Sequence, residues 1–154
     1  MKLLDEKDVG VLRLLQDDGR MANAKLAERL AMSEASCWRR LKRLLDDGII
    51  KGFQAELNRK ALGFGVLSFV QLSCSQHSEE TTEMFENIIH ASPNVLSCHN
   101  TTGDDDYLLQ VVARDLDDYS DFIEKVLRKI PGVVNIRSNI SLREIKASSR
   151  LPLG

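Results

Sequence analysis

Apolar positions recur at helical spacing three times within the first fifty residues. Val9, Leu12 and Leu15 form a stripe that follows Asp5, with Asp8 three residues further on, and that stops at Asp17-Asp18-Gly19. This pattern predicts a first helix with an acidic N-cap. Asn23 is a cap candidate for a short second helix carrying Leu26, Ala27 and Leu30, and Ser33 opens a third helix over residues 34–46 that ends at Gly48. Glycine suits the left-handed conformation that follows a helix. At 100° per residue, Cys37, Leu41 and Leu44 share one face of the third helix, and Ala35, Ser36, Arg39, Lys42 and Arg43 share the other.

The period then changes. Residues 49–57 alternate as a short strand or wing, and residues 58–65, with two glycines, read as a boundary. Beyond it the pattern predicts strand 66–74, helix 79–91, strand 95–102, strand 107–114, helix 116–130 and strand 133–145. In the first of these helices Met84, Phe85, Ile88 and Ile89 oppose Glu79, Glu83 and Glu86. In the second, Phe122, Ile123, Val126, Leu127 and Ile130 oppose Glu124, Arg128 and Lys129. Both helices are therefore expected on one face of the sheet. The other face also looks apolar, because Leu67 and Phe69 alternate with Val66, Val70 and Leu72, and Leu109 and Val111 with Leu108 and Val112. An apolar face without helices calls for a partner subunit.

The fold class is thus α+β: an N-terminal winged helix-turn-helix followed by a ferredoxin-like βαββαβ domain. The domains are expected at residues 1–60 and 66–154, with 61–65 as linker. Charge sharpens this division, since residues 1–60 carry about +3 and residues 61–154 about −5 of the total −2. An acidic whole does not exclude DNA, whose affinity depends on the local face that neutralises phosphates. Cys37, Cys74 and Cys98 have no CxxC spacing, so free thiols in a reducing cytoplasm are expected, with Cys37 a core residue rather than a thiol sensor. MKLLDEKDV gains acidic charge before any apolar run, and no later stretch approaches the length of a membrane span. A soluble cytoplasmic protein with no membrane partner is the expectation.

Four cations fall within five residues in Ser33-Glu-Ala-Ser-Cys-Trp-Arg-Arg-Leu-Lys-Arg-Leu44. A basic helix face is often merely solvated. Here two short helices precede it and a wing-like segment follows, which is where a recognition helix belongs. Thr101-Thr102-Gly103-Asp104-Asp105-Asp106-Tyr107 connects two strands, and its plain reading is a solvated acidic turn. It lacks the alternating oxygen ligands of an EF-hand loop. His77, His90 and His99 lack HExxH spacing, neither GxxxxGK[ST] nor GxSxG occurs, and no metal or cofactor is expected.

The segment LDEKDVGVLRLLQDDGRMANAKLAERLAMSEASCWRRLKRLLDDGIIKGFQAELN resembles the DNA-binding module of the Lrp/AsnC (feast/famine) regulators. The remainder resembles their ligand-binding and assembly domain, through the LG after the linker, TTGDDDYLL, IPGV and the closing LP. The resemblance implies that residues 33–45 form the recognition helix, with Ser33 at its start, Ser36, Trp38 and Arg39 near base edges, and Arg40, Lys42 and Arg43 nearer phosphates. On the helical wheel Trp38 and Arg40 lie on the flanks, where either could instead brace neighbouring helices. The resemblance further implies that Thr101, Thr102, Gly103, Asp104 and Asp106 bind an amino-acid effector at a junction between dimers, with Ser138 and Ser141 contributing from the last strand. The partners so implied are double-stranded DNA, a small-molecule amino acid, and further copies of the chain, as a homodimer assembling into a tetramer or octamer. The implied function is a sequence-specific, amino-acid-responsive transcriptional regulator rather than an enzyme. Two rivals share the architecture: a siroheme-decarboxylase-like enzyme, and an amino-acid-binding module with a degenerate DNA-binding domain.

Overall fold

The computed structural model describes residues 4–75 and 78–153, so the first three residues of the opening segment, and His77, lie outside the described residues. The chain forms two units, one from residues 1–56 together with 147–154 and one from residues 57–146. The closing segment, expected in the C-terminal domain, thus groups with the first unit. Its attachments are specific: Gln16 exchanges hydrogen bonds with the backbone of Leu151 (3.2 and 2.6 Å), Arg13 Nε donates to the Leu153 carbonyl (2.9 Å), and Arg150 pairs with Asp17 at 2.8 Å.

The first unit is built on three helices, α1 (Glu6–Asp17), α2 (Asn23–Arg29) and α3 (Glu34–Asp46). Asp5 and Asp8 form a reciprocal capping box on α1, as their spacing predicts. Asn23 is not a cap: Ala22 holds that position, and Asn23 Nδ2 donates instead to the Glu34 carbonyl at 3.0 Å, tying α2 to α3. Ser33 caps α3, and Gly48 follows it at φ +69°. Val11, Leu12, Leu26, Ala27, Cys37 and Leu44 are the buried core, with Leu41 and Leu153 packed against it. Residues 49–57 form no strand, because no described segment of this chain pairs with them.

The second unit runs β1 (Val66–Cys74), α4 (Glu79–Ala91), β2 (Val95–Asn100), β3 (Tyr107–Ala113), α5 (Leu116–Lys125), a 3-10 turn (Leu127–Lys129) and β4 (Val133–Ile140). All pairings are antiparallel in the order β2-β3-β1-β4. The βαββαβ order stands, and four boundaries differ. Strand β2 stops at Asn100 rather than 102 and β3 at Ala113 rather than 114. The helix expected to reach residue 130 ends at Lys125 with Val126 as its cap, and a 3-10 turn follows as far as Ile130, which Pro131 holds in an extended conformation (φ −69°, ψ 123°). Strand β4 ends near the start of β1, where Ser141 N still donates to Leu67 O at 2.8 Å and no described strand pairs with residues 142–145.

Register assigns the faces. Val70, Leu72, Leu109 and Val111 belong to the buried core with Phe85 and Ile89 of α4 and Tyr119 and Phe122 of α5. The opposite face departs from the apolar surface expected from the sequence. Leu67 and Val112 are buried there and Phe69 is 39% exposed, but Gln71, Gln110, Ser97, His99, Arg137 and Asn139 share it.

Candidate nucleic-acid interface and effector pocket

Helix α3 owes its orientation to Cys37 and Leu44, which are fully buried against α1 and α2. Burial raises the Cys37 thiol pKa above its ordinary value, consistent with a core residue. Ser33 Oγ accepts from Ser36 N at 3.3 Å, so these two serines shape the start of the helix. Trp38 is 55% exposed, and Arg39 and Lys42 are exposed beside it.

Arg40 and Arg43 are placed differently. Arg40 Nη1 donates to Asp5 Oδ2 at 2.6 Å and to Asp8 Oδ1 at 2.8 Å, and Arg43 Nη2 donates to Asp8 Oδ2. Asp8 is 1% exposed and also accepts from the Asp5 N–H at 3.1 Å. The Asp8 backbone N–H and then the Arg40 guanidinium hold the Asp5 carboxyl below the usual carboxylate range. Sequence reasoning gave Asp8 only a capping role. The helical wheel put Arg43 outward because it marks the Cα direction, whereas a long arginine stem reaches round the flank.

In the second unit, residues 101–106 link β2 to β3. Thr101 N donates to Asp106 O (2.8 Å), Thr101 Oγ1 to Asp105 O (3.0 Å) and Asn100 Nδ2 to Asp106 O (3.0 Å). Gly103 sits at φ +122°, a conformation that side chains disfavour. Beneath the link lies an open cavity of about 320 Å³ lined by Gln71, Thr101, Thr102, Asp104, Asp105, Leu108 and Arg137. The carboxylate of Asp105, 7% exposed, accepts from Ser73 Oγ at 2.8 Å and from Arg137 Nη2 at 3.0 and 3.2 Å.

Thr101, Thr102 and Asp104 therefore line the cavity, with Gly103 shaping the turn between them. Asp106 does not line it: its Oδ2 accepts from Cys74 N at 2.6 Å and its N–H donates to Leu72 O at 2.9 Å, so this carboxylate extends the β1–β3 pairing. Ser138 is also turned away, accepting from the Tyr119 hydroxyl at 2.6 Å on the helix-covered face, where Tyr119 also bonds Ser68 at 2.9 Å. Ser141 lies past the end of β4 and is absent from the lining. Arg137, Asp105 and Gln71 were missed, although the position of Arg137 beside Ser138 offered a signal. No group of three or more His, Cys, Asp or Glu among the described residues is placed to hold a metal ion, and no described helix is long and apolar enough to cross a membrane.

Comparison with known proteins adds an independent finding. Residues 4–51 match the winged helix-turn-helix DNA-binding model and residues 67–151 the Lrp/AsnC ligand binding domain. The chain is 34% identical over 151 residues to the DNA-binding transcriptional activator DecR of Escherichia coli, covering 98% of this chain and 99% of that one. It is 37% identical over 153 residues to the Bkd operon transcriptional regulator of Pseudomonas aeruginosa, covering 99% and 100%. The crystal structure of a transcriptional regulator of Neisseria meningitidis in complex with L-Met superposes with a TM-score of 0.93 at 37% identity, covering 98% of this chain and 97% of that one.

Proposed function

Because this chain belongs to the Lrp/AsnC family of transcriptional regulators, we propose that it is a sequence-specific DNA-binding regulator whose assembly or DNA affinity responds to an amino acid. The observation that carries the reading is the presence in one chain of two built sites. Helix α3 turns Arg39, Lys42 and Trp38 outward, and the β2–β3 link lines an open polar cavity together with Arg137. A homodimer would lay two α3 helices in successive major grooves, so that an approximately palindromic operator mirrors the molecular two-fold. Dimers would join into a tetramer or octamer, and a protein that works on DNA in this way would act in the cytoplasm.

The cavity suits a zwitterion. Arg137 offers a guanidinium to an α-carboxylate, while Asp104 and the Thr101 and Thr102 hydroxyls offer acceptors to an α-ammonium group. Of the two aspartates that the family resemblance implied for the effector, Asp104 therefore takes this role and Asp106 does not. The relative crystallised with L-Met makes that amino acid the first probe to use. Binding at one site and its effect at the other are linked reciprocally, so an effector that weakens DNA binding is itself weakened by DNA.

The test is a gel shift on genomic upstream fragments with and without each amino acid, beside calorimetric titration with amino acids and with siroheme. Salt-dependent DNA binding that an amino acid shifts supports the regulator. Siroheme binding without DNA binding would replace it by the enzyme reading, and amino-acid binding without DNA binding by the degenerate module.

A further inference from the structure

We propose that Asp8 is a positioning residue for the recognition helix, and that Arg40 and Arg43 are committed to it, leaving Arg39 and Lys42 as the cations that α3 gives to DNA. This inference rests on the DNA-binding reading above and divides a run of four cations that the sequence presents as one patch.

The division follows from geometry. Asp8 lies in the first turn of α1 at 1% exposure, and its carboxylate accepts from the Asp5 N–H, from Arg40 at 2.8 Å and from Arg43. A carboxylate has about four lone-pair sites. Most of this one's capacity is therefore engaged, and two of its three donors come from α3. Removing a donor from a carboxylate so buried leaves polar atoms without a partner, which is costly. Arg40 is bound twice over, since it also reaches Asp5 at 2.6 Å. Two carboxylates and two guanidiniums thus form a neutral set that fixes the angle of α3 against α1.

Neutrality decides the consequence for DNA. Binding to a duplex gains from counterion release for each phosphate that a protein cation neutralises. An arginine already neutralised by a buried carboxylate contributes little of that gain unless it abandons its partner. Arg39 and Lys42 are exposed, stand three residues apart, and take part in no ion pair found among the described residues. Their charges are the ones available to phosphates and base edges.

The experiment measures how affinity falls with salt, using the full-length protein and a fluorescein-labelled mixed-sequence duplex between ~50 and ~200 mM salt. Arg39→Gln and Lys42→Gln should each lower the slope of log K against log salt by about 0.9. Arg40→Gln and Arg43→Gln should weaken binding several-fold yet keep the parental slope, because the helix is misplaced and no phosphate contact is lost. A slope lowered by about 0.9 in either of these last two variants overturns the assignment. Should Arg43→Gln fail to fold by circular dichroism, the double variant Asp8→Asn with Arg43→Gln removes both charges together. It is expected to fold with the parental slope, and a reduced slope there overturns the assignment equally. If the parent shows no salt-dependent binding at all, the DNA reading itself fails and this inference with it.

Discussion

Arg137→Gln is the variant that most directly probes the effector cavity, because its side chain faces both a protein carboxylate and the empty volume. At 3.0 Å from Asp105, with an effective dielectric constant of about 20, the gross attraction is roughly 5 kcal/mol. Arg137 is 55% exposed, however, so water screens it, and Asp105 keeps its bond from Ser73 after the substitution. A net loss of about 1–2 kcal/mol of stability is expected, less than for a fully buried pair. The effect on ligand is separate. Losing a hydrogen bond to a charged carboxylate costs about 1.5–3 kcal/mol, or roughly a 10- to 150-fold rise in Kd. Asp105→Asn makes the complementary test, because it frees Arg137 while preserving shape and a partner for Ser73. Ligand binding should survive in Asp105→Asn and fall in Arg137→Gln. Urea unfolding at fixed protein concentration gives the first quantity, and calorimetry with the tightest binder among the twenty amino acids gives the second. Parental ligand affinity in Arg137→Gln would refute the anchoring role.

Phe69→Asp and Leu109→Asp should fail differently: Leu109 is fully buried beneath the helices, so its substitution unfolds the domain, whereas Phe69 on the open face should lose assembly first, as light scattering and circular dichroism would show. Ala31 holds φ +48° in the turn between α2 and α3, and Ala31→Gly should add about 0.5–1 kcal/mol to stability in denaturant titration, the relief of Cβ strain exceeding the entropy glycine adds to the unfolded chain. Burial, and then the nearby Glu86 charge, push the Cys98 thiol up to about 11, so its thiolate is scarce at pH 8 and alkylation should be slow until pH approaches that value. The same shift favours the neutral thiol in the fold, so its stability contribution is whole below pH 9 and is lost as pH rises towards 11. A chain ending at Lys146 loses the clasp on Arg13, Gln16 and Asp17, and amide exchange in α1 should accelerate by about fivefold, corresponding to roughly 1 kcal/mol of exposed hydrogen bonding.

Helices and strand starts were legible because they depend on local periodicity and caps. The Asp5 and Ser33 caps and the apolar stripe of Cys37, Leu41 and Leu44 all act within a few residues of one another. Strand ends depend on where a distant partner runs out. That is why the fourth strand was extended to residue 145, when β1 offers nothing to pair with beyond the bond from Ser141 to Leu67. Asn23 failed as a cap for a related reason, since its side chain found a partner eleven residues away in α3. The attachment of the closing segment to α1 joins residues more than 130 positions apart, and no pattern in either segment announces it.

For the effector cavity the decisive variable is parity, meaning which of two neighbouring residues faces which side of the sheet. Slipping a strand by one residue exchanges every such role. Asp106 extends the pairing beside Leu72 and Cys74, so its carboxylate meets the Cys74 N–H, and the neighbouring Asp105 meets Arg137. Nothing in three consecutive aspartates reveals that register. In the last strand the information was present: Ile136 and Ile140 mark the core-facing positions, which places Ser138 with them and leaves Asn135, Arg137 and Asn139 on the other face. Pairing agrees, as Ser138 stands opposite the buried Val70 and Arg137 opposite Gln71 of the cavity. Reading alternation strictly selects the arginine over the serine, and a guanidinium is the group that a ligand carboxylate needs.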